Sequence, residues 1–194
     1  MYHFENLQTY YQSKCLLEIY TRSDDSFSVG TIVALDPSGI VIRTLDEQGK
    51  ELGFYYFRLD FIRSIESDTE YLQKLTCYRR FWTEHMQNNS QLLVDTNFLG
   101  GNVNSRNLLA AILQRESADR HIVTLGSKSK GELDTGYLSS LNNGTSDIAL
   151  IDISTARKMG SVQVKISDIV LLEFESIDNQ LLEYANRAIE TDGI

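Results

Sequence analysis

A nine-residue pattern occurs twice in this chain, and that repetition limits its fold more than any other feature. Phe27-Ser28-Val29-Gly30-Thr31-Ile32-Val33-Ala34-Leu35 and Leu133-Asp134-Thr135-Gly136-Tyr137-Leu138-Ser139-Ser140-Leu141 each place a large apolar residue three positions before a glycine. Each also has apolar residues two and five positions after it. Gly53 through Glu66 aligns in the same way with Gly160 through Glu173. Arg58 falls on Lys165, Leu59 on Ile166, Ile62 on Ile169, Ile65 on Leu172 and Glu66 on Glu173. The offset is 106 residues in the first match and 107 in the second. One connecting turn has therefore gained a residue, and turns are where repeats tolerate insertion. A period this long in 194 residues implies two copies of one unit.

Turn-forming residues fall at corresponding places. Ser23-Asp24-Asp25-Ser26 answers to Lys128-Ser129-Lys130-Gly131, and Asp36-Pro37-Ser38-Gly39 to Asn142-Asn143-Gly144. Asp46-Glu47-Gln48-Gly49 answers to Ser154-Thr155-Ala156-Arg157. Asp, Asn, Gly and Pro mark turns because they supply positive φ, a preset φ, or a side-chain bond to the backbone. The segments between are short and rich in Val, Ile, Phe and Tyr. They predict strands over 16–21, 27–35, 40–45, 54–59 and 62–66, then over 122–125, 133–141, 148–153, 162–166 and 169–174. Five such strands bury enough surface only by bending into a small barrel, which also removes exposed edges.

Helices are expected to bracket each set. Ser67-Asp68-Thr69-Glu70 has the capping-box pattern, and Tyr71, Leu75, Tyr78, Trp82 and Met86 follow on one helical stripe. Ile177, Leu181, Ala185 and Ile189 repeat that rhythm near the end. Phe4, Leu7 and Tyr11 precede the first set, and Leu108, Leu109, Ile112 and Leu113 the second. The expected class is mainly β with flanking helices (α+β). Two tandem, five-stranded, strongly bent antiparallel barrels occupy 1–97 and 98–194, with Gly100-Gly101-Asn102 as the loose boundary.

These strand motifs resemble those of the Sm and Sm-like (LSm) family. In the first motif Gly30 and Asp36 match, and Ile40 stands where the family has an asparagine. In the second, Phe57, Arg58, Ile62 and Ile65 match, with Leu59 in place of a glycine and Phe61 in place of an asparagine. In the second copy Gly136 matches, while Asn142, Lys165 and Asp168 take the aspartate, arginine and asparagine positions. The resemblance implies tandem SH3-like barrels whose strand edges pair with neighbouring units. It makes Asp36, Arg58 and Lys165 candidate nucleic-acid-binding residues.

Charge ranks the partners. With 27 acidic and 18 basic residues the net charge is −9, shared between the two halves, and the average field repels phosphate and anionic lipid. The asparagines that the family uses on RNA are replaced. RNA is thus the second reading, behind a protein partner or self-association. Tyr78-Arg79-Arg80-Phe81-Trp82 sets two arginines among aromatics, a mixture that anchors protein partners. Arg79, Arg80 and Trp82 are the candidate partner-binding residues. The plainer reading buries Tyr78 and Trp82 beneath arginine stems.

No catalytic group of residues is evident. His3, His85 and His121 have no acidic or cysteine neighbour at ligand spacing, so neither metal nor cofactor is expected. Gly126 through Gly131 suggests a phosphate loop, but Glu132 follows where Lys-Ser/Thr is needed. Cys15 and Cys77 read as reduced core residues. Met1 through Asn6 lacks the basic start of a signal peptide, and no apolar run approaches the ~18 residues of a membrane helix. The expectation is a non-enzymatic cytoplasmic interaction module with no membrane contact and no small-molecule substrate.

Overall fold

The computed structural model describes residues 4–23, 26–85, 107–128 and 130–192. The boundary expected at 100–102 and Met86 of the helical stripe lie outside the described residues. The chain divides into two units, Met1–Leu108 and Leu109–Ile194.

The first unit runs α1 (Phe4–Ser13), β1 (Leu17–Thr21), β2 (Phe27–Leu35), β3 (Gly39–Leu45), β4 (Glu51–Arg58), β5 (Ile62–Glu66) and α2 (Glu70–His85). Its strands are ordered β5-β1-β2-β3-β4, each paired antiparallel with its neighbours in that order. In the second unit α3 (Leu108–Asp119) leads into β6 (Ile122–Ser127), β7 (Leu133–Asn142), β8 (Thr145–Ile151), β9 (Lys158–Lys165), β10 (Ile169–Phe174) and α4 (Ile177–Asp192). The order is β10-β6-β7-β8-β9, again antiparallel. A single 3-10 turn precedes the last strand of each unit, at Leu59–Phe61 and Ile166–Asp168. The protein is therefore mainly antiparallel β with flanking helices. The sheet is open, not closed on itself as expected: β5 pairs only with β1 and β9 only with β8 among the described residues.

Local chemistry explains the hairpins. Asp36 Oδ1 accepts the backbone N–H of Ser38 at 2.7 Å and of Gly39 at 2.8 Å, closing the β2–β3 turn. The β7–β8 turn uses Asn143 (φ 47°) and Gly144 (φ 80°), two positive-φ residues that match strand twist. Asp46 Oδ1 accepts from Gln48 and Lys50 in the β3–β4 turn, and Asp152 Oδ1 from Ser154 and Thr155 in the β8–β9 turn. Asp46 thus answers to Asp152 and not to Ser154. The extra residue lies in the β8–β9 turn, which closes from Asp152 to Arg157 where its counterpart closes from Asp46 to Lys50.

Bending has visible causes. The β2–β3 register shifts between Ile32 and Ala34, and the β7–β8 register between Leu138 and Ser140. Such bulges bend a strand. A Cβ on Gly30 would lie 2.2 Å from Arg43 O, and one on Gly136 would lie 2.1 Å from Ala149 O. Only glycine permits these approaches. The first core gathers Leu17, Ile19, Ile32, Ile40, Ile42, Phe54 and Phe57, and the second Ile112, Leu113, Val123, Leu125, Ile148, Leu172 and Phe174. Full burial of one such side chain contributes about 1.5–3 kcal/mol.

Helix α2 departs from its sequence reading. Thr69, not Ser67, caps it: Thr69 Oγ1 accepts the N–H of Leu72 at 3.2 Å and donates to Glu18 Oε1. That second bond ties the cap to β1. The buried face is Leu72 and Leu75 against Val29, with Tyr71 at its margin, while Tyr78 is exposed.

Candidate interaction surface

The predicted residues separate into engaged and exposed groups. Asp36 is buried, and its Oδ1 also accepts the Ser38 hydroxyl at 2.7 Å. Its Oδ2 accepts the backbone N–H of Leu108, the last residue of that unit, at 2.7 Å. The carboxylate is consumed by structure. Arg58 lies beside this turn, since β3 pairs Gly39 with Arg58, and its Nε donates to Asp60 Oδ1 at 2.7 Å. In the second unit Lys165 pairs across the strands with Thr145 at the corresponding hairpin end, and its side chain is exposed.

On α2, Trp82 is half-buried. Its Nε1 donates to Gln48 O at 2.7 Å, and Lys50 Nζ sits 4.6 Å from the ring centroid. The indole therefore clamps α2 onto the β3–β4 turn, where Gly49 leaves room against Tyr78 and Arg79. Arg79 and Arg80 are exposed, and Phe81, half exposed, stacks on His85 at 4.4 Å between centroids.

An exposed apolar surface on α4 and near the β8–β9 turn was not among the predicted sites. Helix α4 is held by polar side chains. Asn186, 2% exposed, accepts from Tyr137 Oη at 3.0 Å and donates to Ala156 O at 2.8 Å. Asn179 accepts from Thr124 Oγ1 at 3.0 Å. Two of its apolar residues are turned outward, with Leu181 62% and Tyr184 76% exposed, while Leu182, Ala185 and Ile189 are half-buried. Leu181, Ala185 and Ile189 line a groove of about 1070 Å³ together with Leu133, Ile153 and Met159. Ile153 is 76% exposed, at the β8–β9 turn. Acidic groups stud the groove, including Asp152, whose hydrogen bonds from Ser154 and Thr155 hold its carboxyl below the usual range.

The Ile177, Leu181, Ala185 and Ile189 stripe is legible in the sequence as a helical rhythm only, and Leu181 of that stripe is exposed. Asn179 and Asn186, seven residues apart, were the missed signal: two amides on one face mark the side that docks by hydrogen bonding. Met159 also belongs to β9, which is exposed along most of its length and bounded by Lys158 and Lys165. Groove and strand edge are thus continuous. No family model, no curated protein and no solved structure matches the chain.

Proposed function

We propose that this is a non-enzymatic assembly module, two copies of a strongly bent Sm-like unit, in which the β9 edge of one chain receives the β5 edge of another. The observation that carries this reading is that β5 and β9 are end strands of unequal charge, each with one paired neighbour among the described residues. Strand β9 has two lysines and no acid, whereas 60–70, which contains β5, has four carboxylates (Asp60, Glu66, Asp68, Glu70) against Arg63. An extended strand with unpaired backbone groups is a template for β-addition, and opposite charge fixes which edge enters. Because the two edges differ, the contact is heterologous, so copies close into a ring or continue as a filament. The apolar groove beside β9 supplies area that backbone pairing alone lacks.

The two-copy reading is supported by matching strand order, 3-10 turns at equivalent places, and bulges and glycines at an offset of 106. An RNA role draws no comparable support, because Asp36 and Arg58 would have to break internal bonds to meet a base.

Light scattering tests the proposal. The wild type is expected at multiples of 22.1 kDa, and Met159→Glu with Lys165→Glu at one multiple only. A wild type that stays monomeric up to high concentration rejects it.

A further inference from the structure

Three ligand-type side chains, the third distant in sequence from the other two, converge in the second unit, and none of them takes part in the proposed assembly. Glu116 lies in the last turns of α3. His121 follows where Arg120 (φ 56°) reverses the chain and the His121 N–H bonds back to Glu116 O at 3.1 Å, a helix-ending arrangement. Glu175 (φ 49°) links β10 to α4. One carboxylate oxygen from each glutamate and one ring nitrogen of His121 all lie within 4.8 Å of one another.

Glu116 is the informative residue. It is 0% exposed, and neither carboxyl oxygen has a hydrogen-bond partner. His121 Nδ1 stands 3.4 Å from its Oε2 and also makes no hydrogen bond. A carboxylate withdrawn from water without a partner costs several kcal/mol. Burial accordingly pushes its carboxyl up to about 8. The 3.4 Å separation fits another purpose. Two ligand atoms bound tetrahedrally to one ion at ~2.1 Å stand about 3.4 Å apart. Glu175 is held by Arg115, whose Nη2 lies 2.5 Å from Oε1, so a cation meets two carboxylates with one already offset.

We propose that Glu116, His121 and Glu175 bind one divalent transition-metal ion of the zinc class. One imidazole with two carboxylates suits a borderline ion such as Zn²⁺, whereas Mg²⁺ and Ca²⁺ favour oxygen alone. The ion would join the end of α3 and the neighbouring entry to β6 to the lead into α4, which is far away in sequence. Bound to the folded state only, it stabilises by mass action. Close neighbours of His121 in the sequence do not mark this group. Glu116 stands five residues from His121 and Glu175 fifty-four beyond it, so spacing alone does not reveal them.

The test is calorimetric titration of the metal-stripped full chain with Zn²⁺ at pH 7.5, with thermal unfolding read alongside. Saturation at one ion per chain and a raised unfolding midpoint are expected. Glu116→Gln and His121→Ala should each weaken binding at least tenfold, in line with the loss seen on perturbing metal sites, and should remove the midpoint shift. His85→Ala should change neither. Circular dichroism checks folding, and if Glu116→Gln fails to fold, His121→Ala, at a partly exposed position, carries the test alone. No saturable binding, or wild-type affinity in a folded Glu116→Gln or His121→Ala variant, overturns the assignment.

Discussion

At the scale of single residues, two glycines and one tyrosine carry sharp expectations. Gly136→Ala drives a Cβ against Ala149 O, and Gly30→Ala another against Arg43 O, in both cases immovable backbone. Each is expected to cost about 1–3 kcal/mol in denaturant unfolding, the range for overpacking. Gly131→Ala meets nothing within 4 Å and should be near neutral. Tyr56 gives a pH signature. It is buried against Gly39, and desolvation raises its phenol to about 12 from 10.0. A group whose folded value is raised contributes stability fully below its unfolded value and loses it as pH climbs through the folded one. Wild type should therefore lose on the order of 2–3 kcal/mol between roughly pH 10 and 12 through this residue. Tyr56→Phe should show a shallower alkaline decline, and equal slopes in urea titrations at those pH values would contradict the assignment.

Among the elements, α4 and α2 show what the sequence conveyed and what it hid. Strand positions were legible because alternation, glycines and turn residues agree. Residues 27–35, 62–66 and 169–174 coincide with β2, β5 and β10. Strands β4 and β9 begin earlier than expected, at Glu51 and Lys158, because aspartate-closed turns leave polar residues inside the pairing. The helical stripes were legible as rhythm but not as direction. Periodicity shows that apolar residues share a face, not that the face is covered, and in α4 the two asparagines determine which side docks. Asn186→Leu should destabilise by about 1–3 kcal/mol despite adding apolar volume, since it strands Tyr137 Oη and the Ala156 carbonyl. Leu181→Asp should leave stability within about 0.5 kcal/mol, the usual range for surface changes. Thr69→Ala should cost about 1 kcal/mol by removing the α2 cap, and Ser67→Ala almost nothing.

For the whole molecule, the ten strands and their antiparallel class were readable from residues alone, whereas neither the groove nor the glutamate–histidine cluster was. Both arise from chain segments that meet only after folding: α4 with the β8–β9 turn, and the end of α3 with the β10–α4 link. The assembly reading predicts that a Leu181→Asp, Met159→Glu chain keeps its fold yet shifts to smaller particles in sedimentation. Unchanged sedimentation would remove the groove from the contact. The outward apolar wall of α4 also bears on how this protein behaves in an assay tube. A dye that fluoresces on greasy surfaces reports unfolding only when the native state hides such surface. Here Leu181, Tyr184, Ile153 and Met159 offer it beforehand. The folded chain should therefore start bright, and the dye should understate a melting transition that circular dichroism records in full.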